Sequence, residues 1–223
     1  MKSLPFYKAL LVIGSLAAFS VATQASERRF VFNYETSTAA KGAFEYEQYI
    51  TWEHRGGFDG WGFKHEFEYG ISDTLQIGVY AFNWEHQREA GHNSTDWTGS
   101  GFELIKSLSD PNKDALGSAV YLETLISDKA VSVEGKLLLQ KNFGPLAVVY
   151  NAVIEAEWED GYKEDVGTLE QTLGLSYQVT PKFFVGVEAF YEVEFEHWSD
   201  AGQAVVYVGP NLSVRSGKVW FTL

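Results

Sequence analysis

The feature that most constrains this chain is an alternation of apolar and charged side chains with a period of two. From Phe183 to His197, Val185, Val187, Ala189, Tyr191, Val193 and Phe195 fall on one face, opposite Glu188, Glu192, Glu194 and Glu196. Successive side chains of an extended strand point to opposite faces, so this is a strand signature. Ala43 to His54 repeats it, with Phe44, Tyr46, Ile50 and Trp52 against Glu45, Glu47, Thr51 and Glu53. So do Trp61 to Tyr69 (Phe63, Phe67 and Tyr69 against Lys64, Glu66 and Glu68) and Leu146 to Glu159 (Val148, Tyr150, Ile154 and Trp158 against Asn151, Glu155, Glu157 and Glu159). Weaker versions run over 75–85, 102–108, 116–125, 131–140, 166–179 and 203–214. The fold class is therefore all-β.

Turn signals separate the runs and differ at the two ends. Ile71-Ser72-Asp73, Asp110-Pro111-Asn112, Asn142 to Pro145, Thr180-Pro181-Lys182 and Arg215 to Lys218 are compact and marked by Pro, Gly or Asp. The connections expected at 55–60, 87–99, 160–165 and 199–202 are more polar and more acidic. Short turns on one side and longer loops on the other describe an up-and-down meander, and transmembrane barrels have this form. The alternation supports the same choice: wide aromatic faces with no helix to cover them suit lipid outside and carboxylates inside. Trp52, Trp61, Trp84, Trp97, Trp158 and Trp198 all lie towards the longer loops, and Trp collects at a bilayer interface.

The first 25 residues are of another kind. Lys2 and Lys8 precede an almost wholly apolar stretch from Ala9 to Ala22, and Ala25 is a plausible cleavage point. Fourteen residues fall short of the roughly 20 that cross a bilayer as a helix. We expect a signal peptide over 1–25, a segment over 26–42 that could add a strand, and an outer-membrane barrel over 43–223. Ten full strands fit between Ala43 and Val214, and an eleventh starts near Val219. An open edge is costly in lipid. Either Phe30 to Glu35 closes the barrel or the last strands lie beyond Leu223, the second being favoured. Twelve strands are expected, with ten as the fallback.

Charge narrows the function. The chain has 30 acidic and 17 basic side chains, and without the leader its net charge is −15. Nucleic acid is not an expected partner, because phosphate binding needs clustered Lys and Arg. With no Cys there is no disulfide framework and no thiolate chemistry. The lumen and mouth acids are taken as Glu53, Glu66, Glu68, Glu157, Glu159, Glu188, Glu192, Glu194 and Glu196, a field that would concentrate cations. Lys64, Lys106 and Lys136 are candidates to pair with the inward carboxylates. The interface aromatics are Trp52, Trp61, Trp84, Trp158 and Trp198.

His54, His86, His92 and His197 also lie towards the loop side, but their spacing is not that of a helical zinc motif and no metal ligand is assigned. Asp96, His92 and Ser100 share one stretch without a spacing that sets a nucleophile beside a base, so no catalytic residue is assigned and no enzyme is expected. No cofactor motif is present in the sequence.

Three stretches carry a resemblance: Lys41-Gly42-Ala43-Phe44-Glu45-Tyr46-Glu47-Gln48, Glu66-Phe67-Glu68-Tyr69-Gly70-Ile71-Ser72-Asp73-Thr74-Leu75-Gln76-Ile77, and Glu134-Gly135-Lys136-Leu137-Leu138-Leu139-Gln140-Lys141-Asn142-Phe143-Gly144. They resemble uncharacterised outer-membrane proteins of Gram-negative bacteria, a group similar to the proposed transporters of the meta-pathway of phenol degradation. The resemblance implies a barrel and uptake of hydrophobic compounds. The expected function is a passive channel or uptake protein for small solutes in the outer membrane. A non-conducting structural or adhesive barrel is the alternative, and a rim enzyme acting on lipid or peptide comes third. Expected partners are outer-membrane lipid and lipopolysaccharide, the barrel assembly machinery during biogenesis, and small solutes.

Overall fold

A computed structural model describes residues 10–12, 28–89, 91–159, 161, 162 and 164–223. The strands are β1 (Leu10–Val12), β2 (Phe44–Arg55), β3 (Phe58–Ser72), β4 (Leu75–Glu89), β5 (His92–Ser109), β6 (Gly117–Ile126), β7 (Val131–Phe143), β8 (Leu146–Glu159), β9 (Glu164–Thr180), β10 (Phe183–Glu196), β11 (Asp200–Ala201), β12 (Val205–Ser216) and β13 (Val219–Thr222). Each of the ten runs expected between Ala43 and Val214 is a strand, and β13 is the eleventh. The chain is an all-β, up-and-down antiparallel sheet in the order β1 to β10, then β12 and β13, with β11 paired only to β10. The expected leader lies outside the described residues except for β1, which pairs antiparallel with the loop-side end of β2.

The sheet curls until its edges approach. The Trp220 indole on β13 donates to Glu45 Oε1 on β2 at 2.7 Å. Between these edges no backbone ladder forms among the described residues; the contact runs through side chains. The segment over 28–43 holds them together from inside: Ser213 Oγ and Thr222 Oγ1 donate to the Arg28 carbonyl, and the Arg28 guanidinium reaches Glu47.

Phe30 to Glu35 is thus not an added strand. Its residues have no ladder partner, and the segment runs across the interior instead. The longer loops are corrected too. His92 to Gly99 lies within β5, and β4 pairs with it from Glu89 inward, Glu89 opposing His92. Both ends of the sheet therefore carry mostly short hairpins, and the acidic stretches are strand ends. At the β10–β11 turn, His197 and Trp198 take positive φ (49° and 58°), and the Trp198 ring folds onto Gly167, where a Cβ would come within 2.6 Å of it.

The faces sort as an inside-out protein. Outward rows hold Phe44, Val79, Phe102, Leu122, Leu137, Ile154, Leu173, Leu175, Val187, Val206 and Val208, all exposed. Inward positions hold buried Glu45, Glu47, Glu66, Glu68, Glu103, Glu123, Asn151, Thr172, Ser176, Glu188, Asn211 and Ser213. Among the described residues, apolar packing inside forms small clusters, one of Ile105, Ala119, Tyr121 and Leu138 and one of Phe30, Ala147 and Val149.

Candidate functional site

The lumen is the site, and its two walls differ. One wall is built by β2 to β8, where strand register lines glutamates up shoulder to shoulder. Glu45 faces Glu68, Glu68 faces Gly78, and Gly78 faces Glu103. Glu103 then faces Glu123, Glu123 faces Glu134, and Glu134 faces Glu155. Glu47 opposes Glu66 in the next row. Directly opposed like charges destabilise a sheet, so this row needs counter-charge.

Three cations supply part of it. Arg28 Nε lies 3.1 Å from Glu47 and Arg28 Nη2 lies 3.9 Å from Glu68. Lys64 lies 3.6 Å from Glu123, and Lys136 lies 2.8 Å from Glu134. Tyrosines fill the gaps: Lys64 sits over the Tyr80 ring at 4.3 Å, Arg28 over Tyr34 at 4.0 Å, and Lys136 over Tyr34 and Tyr121 at 4.4 and 4.6 Å. Such contacts hold a cation in an aromatic cleft. The phenols of Tyr80 and Tyr121 donate to Glu103 and Glu123 at 3.0 and 2.5 Å, and that of Tyr49 donates to Glu47. The expected role of Lys106 is corrected: its position in β5 is outward, and its ammonium donates to Thr74 Oγ1 at the β3–β4 turn.

The other wall, from β7 through β12, receives the strap formed by residues 28–42. An irregular segment inside a barrel must find partners for every buried backbone N–H, and here side chains provide them. Glu188 accepts from the amides of Val31, Phe32 and Asn33 and from the side-chain amides of Asn33 and Asn211, at 2.7 to 2.9 Å. Farther along, Tyr34 N–H donates to Asn151, Thr36 N–H to Gln140, Ala39 N–H to Gln76 and Lys41 N–H to Asp73. The strap thus crosses the lumen from β10 to the β3–β4 turn. Phe30 packs where Gly174 leaves room, since a Cβ there would approach its ring to 2.7 Å. A gap of about 20 Å³ remains between strap and acidic wall, lined by Arg28, Tyr34, Glu68 and Gln76. That is room for about one water.

Space opens towards the other end. One cavity of about 320 Å³ is lined by Tyr49, Thr51, Lys64, Asn83 and Glu85, and one of about 340 Å³ by Glu194, Glu196, Asp200 and Gly202. Of the expected acids, Glu66, Glu68 and Glu188 are buried in the lumen, Glu53, Glu157 and Glu192 are half-buried, and Glu159, Glu194 and Glu196 are exposed at the mouth. Glu188 acts as the strap's anchor. Glu45, Glu47, Glu103, Glu123 and Glu134 complete the lumen row and went unassigned in the sequence; each sits on the polar face of its strand, which is the signal that could have found them.

The aromatics meet on the outer face at the mouth end. Trp52 stacks on Trp61 at 5.8 Å, Trp84 on Phe63 at 3.9 Å, and Trp84 pairs across the ladder with Trp97. Trp158 and Trp198 are exposed at the same end. The histidines do not converge. His54 pairs with Asp59 at 2.7 Å, His86 with Thr95 at 2.8 Å and His197 with Asp165 at 2.8 Å. The His54 hydrogen bond holds the Asp59 carboxyl below its ordinary range. Ser100 donates to the Ala81 carbonyl, and in an extended strand four-residue steps separate His92, Asp96 and Ser100 by about 13 Å each, so they form no triad.

These features define an antiparallel β-barrel-like protein with an acidic, strapped interior. Residues 22–223 match a family of unknown function, DUF6662, and the chain belongs to that family. No curated protein matches it.

Proposed function

We propose that the chain is an integral barrel of a Gram-negative outer membrane that passes small solutes through an acidic, cation-favouring lumen, with the strap holding that lumen closed in the half that ends at the β3–β4 hairpin. The observation that carries this reading is the inversion of faces: apolar rows look out and carboxylates are enclosed. An exposed apolar surface of this extent would drive a water-soluble monomer to associate, whereas a lipid-facing barrel requires it.

The aromatics support the same reading. Trp61 and Tyr69 are both exposed on β3, towards its mouth end and its β4-hairpin end. Their separation is about 26 Å along a strand and about 20 Å at a tilt of roughly 40°, near the apolar band of such barrels. Tyr69, Phe143 and Tyr177 form the second aromatic belt, opposite the Trp girdle. Export through the 1–25 leader, folding by the barrel assembly machinery and contact with lipid and lipopolysaccharide follow from this reading. The resemblance to transporters of the meta-pathway adds hydrophobic compounds to the solutes worth testing.

Planar-bilayer recording tests it. The wild type should conduct rarely, and a variant lacking residues 28–41 should show frequent cation-preferring steps. If both stay silent while folded in the bilayer, the conduit is overturned. One observation favours a non-conducting structural barrel instead: the strap is bonded into the wall along its whole length, and silence in both proteins is what that reading expects.

A further inference from the structure

Of the carboxylate trios in the lumen, one contains a carboxyl group with no hydrogen-bond partner among the described residues. Three clusters among the described residues bring ligand oxygens within 4.8 Å of one another: Glu45, Glu47 and Glu68; Glu66, Glu68 and Glu103; and Glu134, Glu155 and Glu170. The first has Arg28 on Glu47 and the third has Lys136 on Glu134, while at the second Arg28 Nη2 stands 3.9 Å from Glu68 and no ion pair is seen on Glu66 among the described residues. In the second, Glu66 is 0% exposed and neither of its carboxylate oxygens has a hydrogen-bond partner among the described residues. Its neighbours are equally enclosed, Glu68 at 1% and Glu103 at 0%. A buried carboxylate with two unused oxygens beside two more carboxylates is costly unless something positive sits between them.

The wall is shaped for that. Gly78 lies between Glu68 and Glu103 in the ladder, and a Cβ there would collide with Glu66 Oε1 and Glu103 Cγ. The missing side chain makes the hollow into which the three carboxyl groups converge. Glu103 is steadied from outside the trio by the Tyr80 phenol at 3.0 Å and Gln76 Nε2 at 3.5 Å. The ligand atoms that the trio offers are carboxylate oxygens, and hard divalent cations take oxygen ligands. Across a Ca²⁺ ion, ligand oxygens at about 2.3–2.6 Å stand up to roughly 5 Å apart, the scale of this cluster.

We propose that Glu66, Glu68 and Glu103 bind a divalent cation of the Ca²⁺ or Mg²⁺ class, which neutralises the acidic wall beside the strap. The site goes beyond the membrane reading and does not rest on it.

The test uses the full chain, folded and freed of metal by a chelator. Titration with Ca²⁺ by calorimetry should show one saturable site per chain, with Mg²⁺ run in parallel. Tb³⁺ replacing Ca²⁺ should show emission sensitised by the nearby Tyr80 phenol. Glu66→Gln and Glu103→Gln should each weaken binding at least tenfold, and Asp128→Asn, at an exposed turn, should leave it unchanged. Ca²⁺ should raise the melting temperature of the wild type and leave that of Glu66→Gln unmoved. In chelator, Glu66→Gln should melt above the wild type because one of the repelling charges is gone.

A wild type indifferent to both ions would mean that the trio holds a proton, and would overturn the proposal. So would a folded Glu66→Gln that binds as tightly as the wild type. Should Glu66→Gln fail to fold, the wild-type melting shift and the Glu103→Gln titration decide. A chain that binds Ca²⁺ in plain buffer without detergent would keep this site and remove the membrane reading.

Discussion

The two walls of the lumen solve the same problem by different means. On the wall from β2 to β8, charges are placed side by side, and Arg28, Lys64 and Lys136 offset them. On the wall from β7 through β12, small and neutral residues such as Ala147, Val149, Thr172, Gly174 and Ser176 leave space for a peptide, and amide side chains bond its backbone. The first wall is electrostatic and depends on counter-ions. The second is a docking groove, and its occupant belongs to the same chain. A lumen that is acidic on one side and strap-filled on the other is held shut by contacts that can be removed one at a time.

The largest effect is expected where the walls meet. Arg28 is the strap residue that forms ion pairs with the acidic wall, at Glu47 and Glu68, and removing one partner of a buried ion pair typically costs about 3–5 kcal/mol. Arg28→Met should therefore lower stability by about that amount, measured as the urea midpoint of the folded protein. A loss within error would mean that the acidic wall does not depend on the strap for charge, and the contrast between the walls would fail.

Next comes the anchor of the docking wall. Glu188→Ala would leave the amides of Val31, Phe32 and Asn33 without their acceptor, and each buried unsatisfied group costs about 1–3 kcal/mol. Relief by water would keep the total near 3 kcal/mol. Since the chain has no Cys, a Thr36→Cys probe reports on the strap directly. It should resist maleimide in the parent and react at least tenfold faster when Glu188→Ala is added. Equal reactivity would show that the strap stays seated without its anchor.

What could be read from the sequence follows from the same contrast. Strand positions and faces were legible because alternation is local: Val185 to Phe195 against Glu188 to Glu196 needs no knowledge of the rest of the chain. That Trp52, Trp61, Trp84 and Trp97 share one face at one end was legible for the same reason. The strap was not, because Phe30-Val31-Phe32 looks like a strand start, and its acceptors at Gln76, Gln140, Asn151 and Glu188 are scattered over more than a hundred residues. The glutamate row was half legible. Each Glu lies on a polar face, but which Glu opposes which depends on register, and bulges shift it in β3 and β4 between Phe63 and Glu66 and between Tyr80 and Asn83. His92 to Gly99 read as loop because Asn93, Ser94, Thr95 and Asp96 are polar on both faces, so the period of two vanishes where a strand leaves the apolar belt.

A smaller effect should come from the fit of the docking wall. Gly174→Ala would push a Cβ to 2.7 Å from the Phe30 ring and 3.1 Å from Asn33 Cγ. Overpacking of this kind costs about 1–3 kcal/mol. Trimming the ring should relieve it, so the double variant with Phe30→Ala should be less destabilised than the sum of the two single changes. Additive losses in a double-mutant cycle would mean that Gly174 does not make room for the strap.

The smallest effect is expected outside both walls, and it serves as the reference for the rest. Asp59 and His54 hydrogen-bond at 2.7 Å on the exposed rim beside the β2–β3 hairpin. The bond lowers the Asp59 carboxyl from its ordinary value, so any stabilisation is present above that value and is lost as pH falls through the lowered one. Both groups are in water, where such pairs contribute little. Asp59→Asn should leave the melting temperature at pH 7 unchanged within error and slightly flatten its decline in acid. If this rim variant instead matched the loss from Arg28→Met, the stability of the barrel would reside in its hairpins, and the enclosed charges and the strap would be passengers.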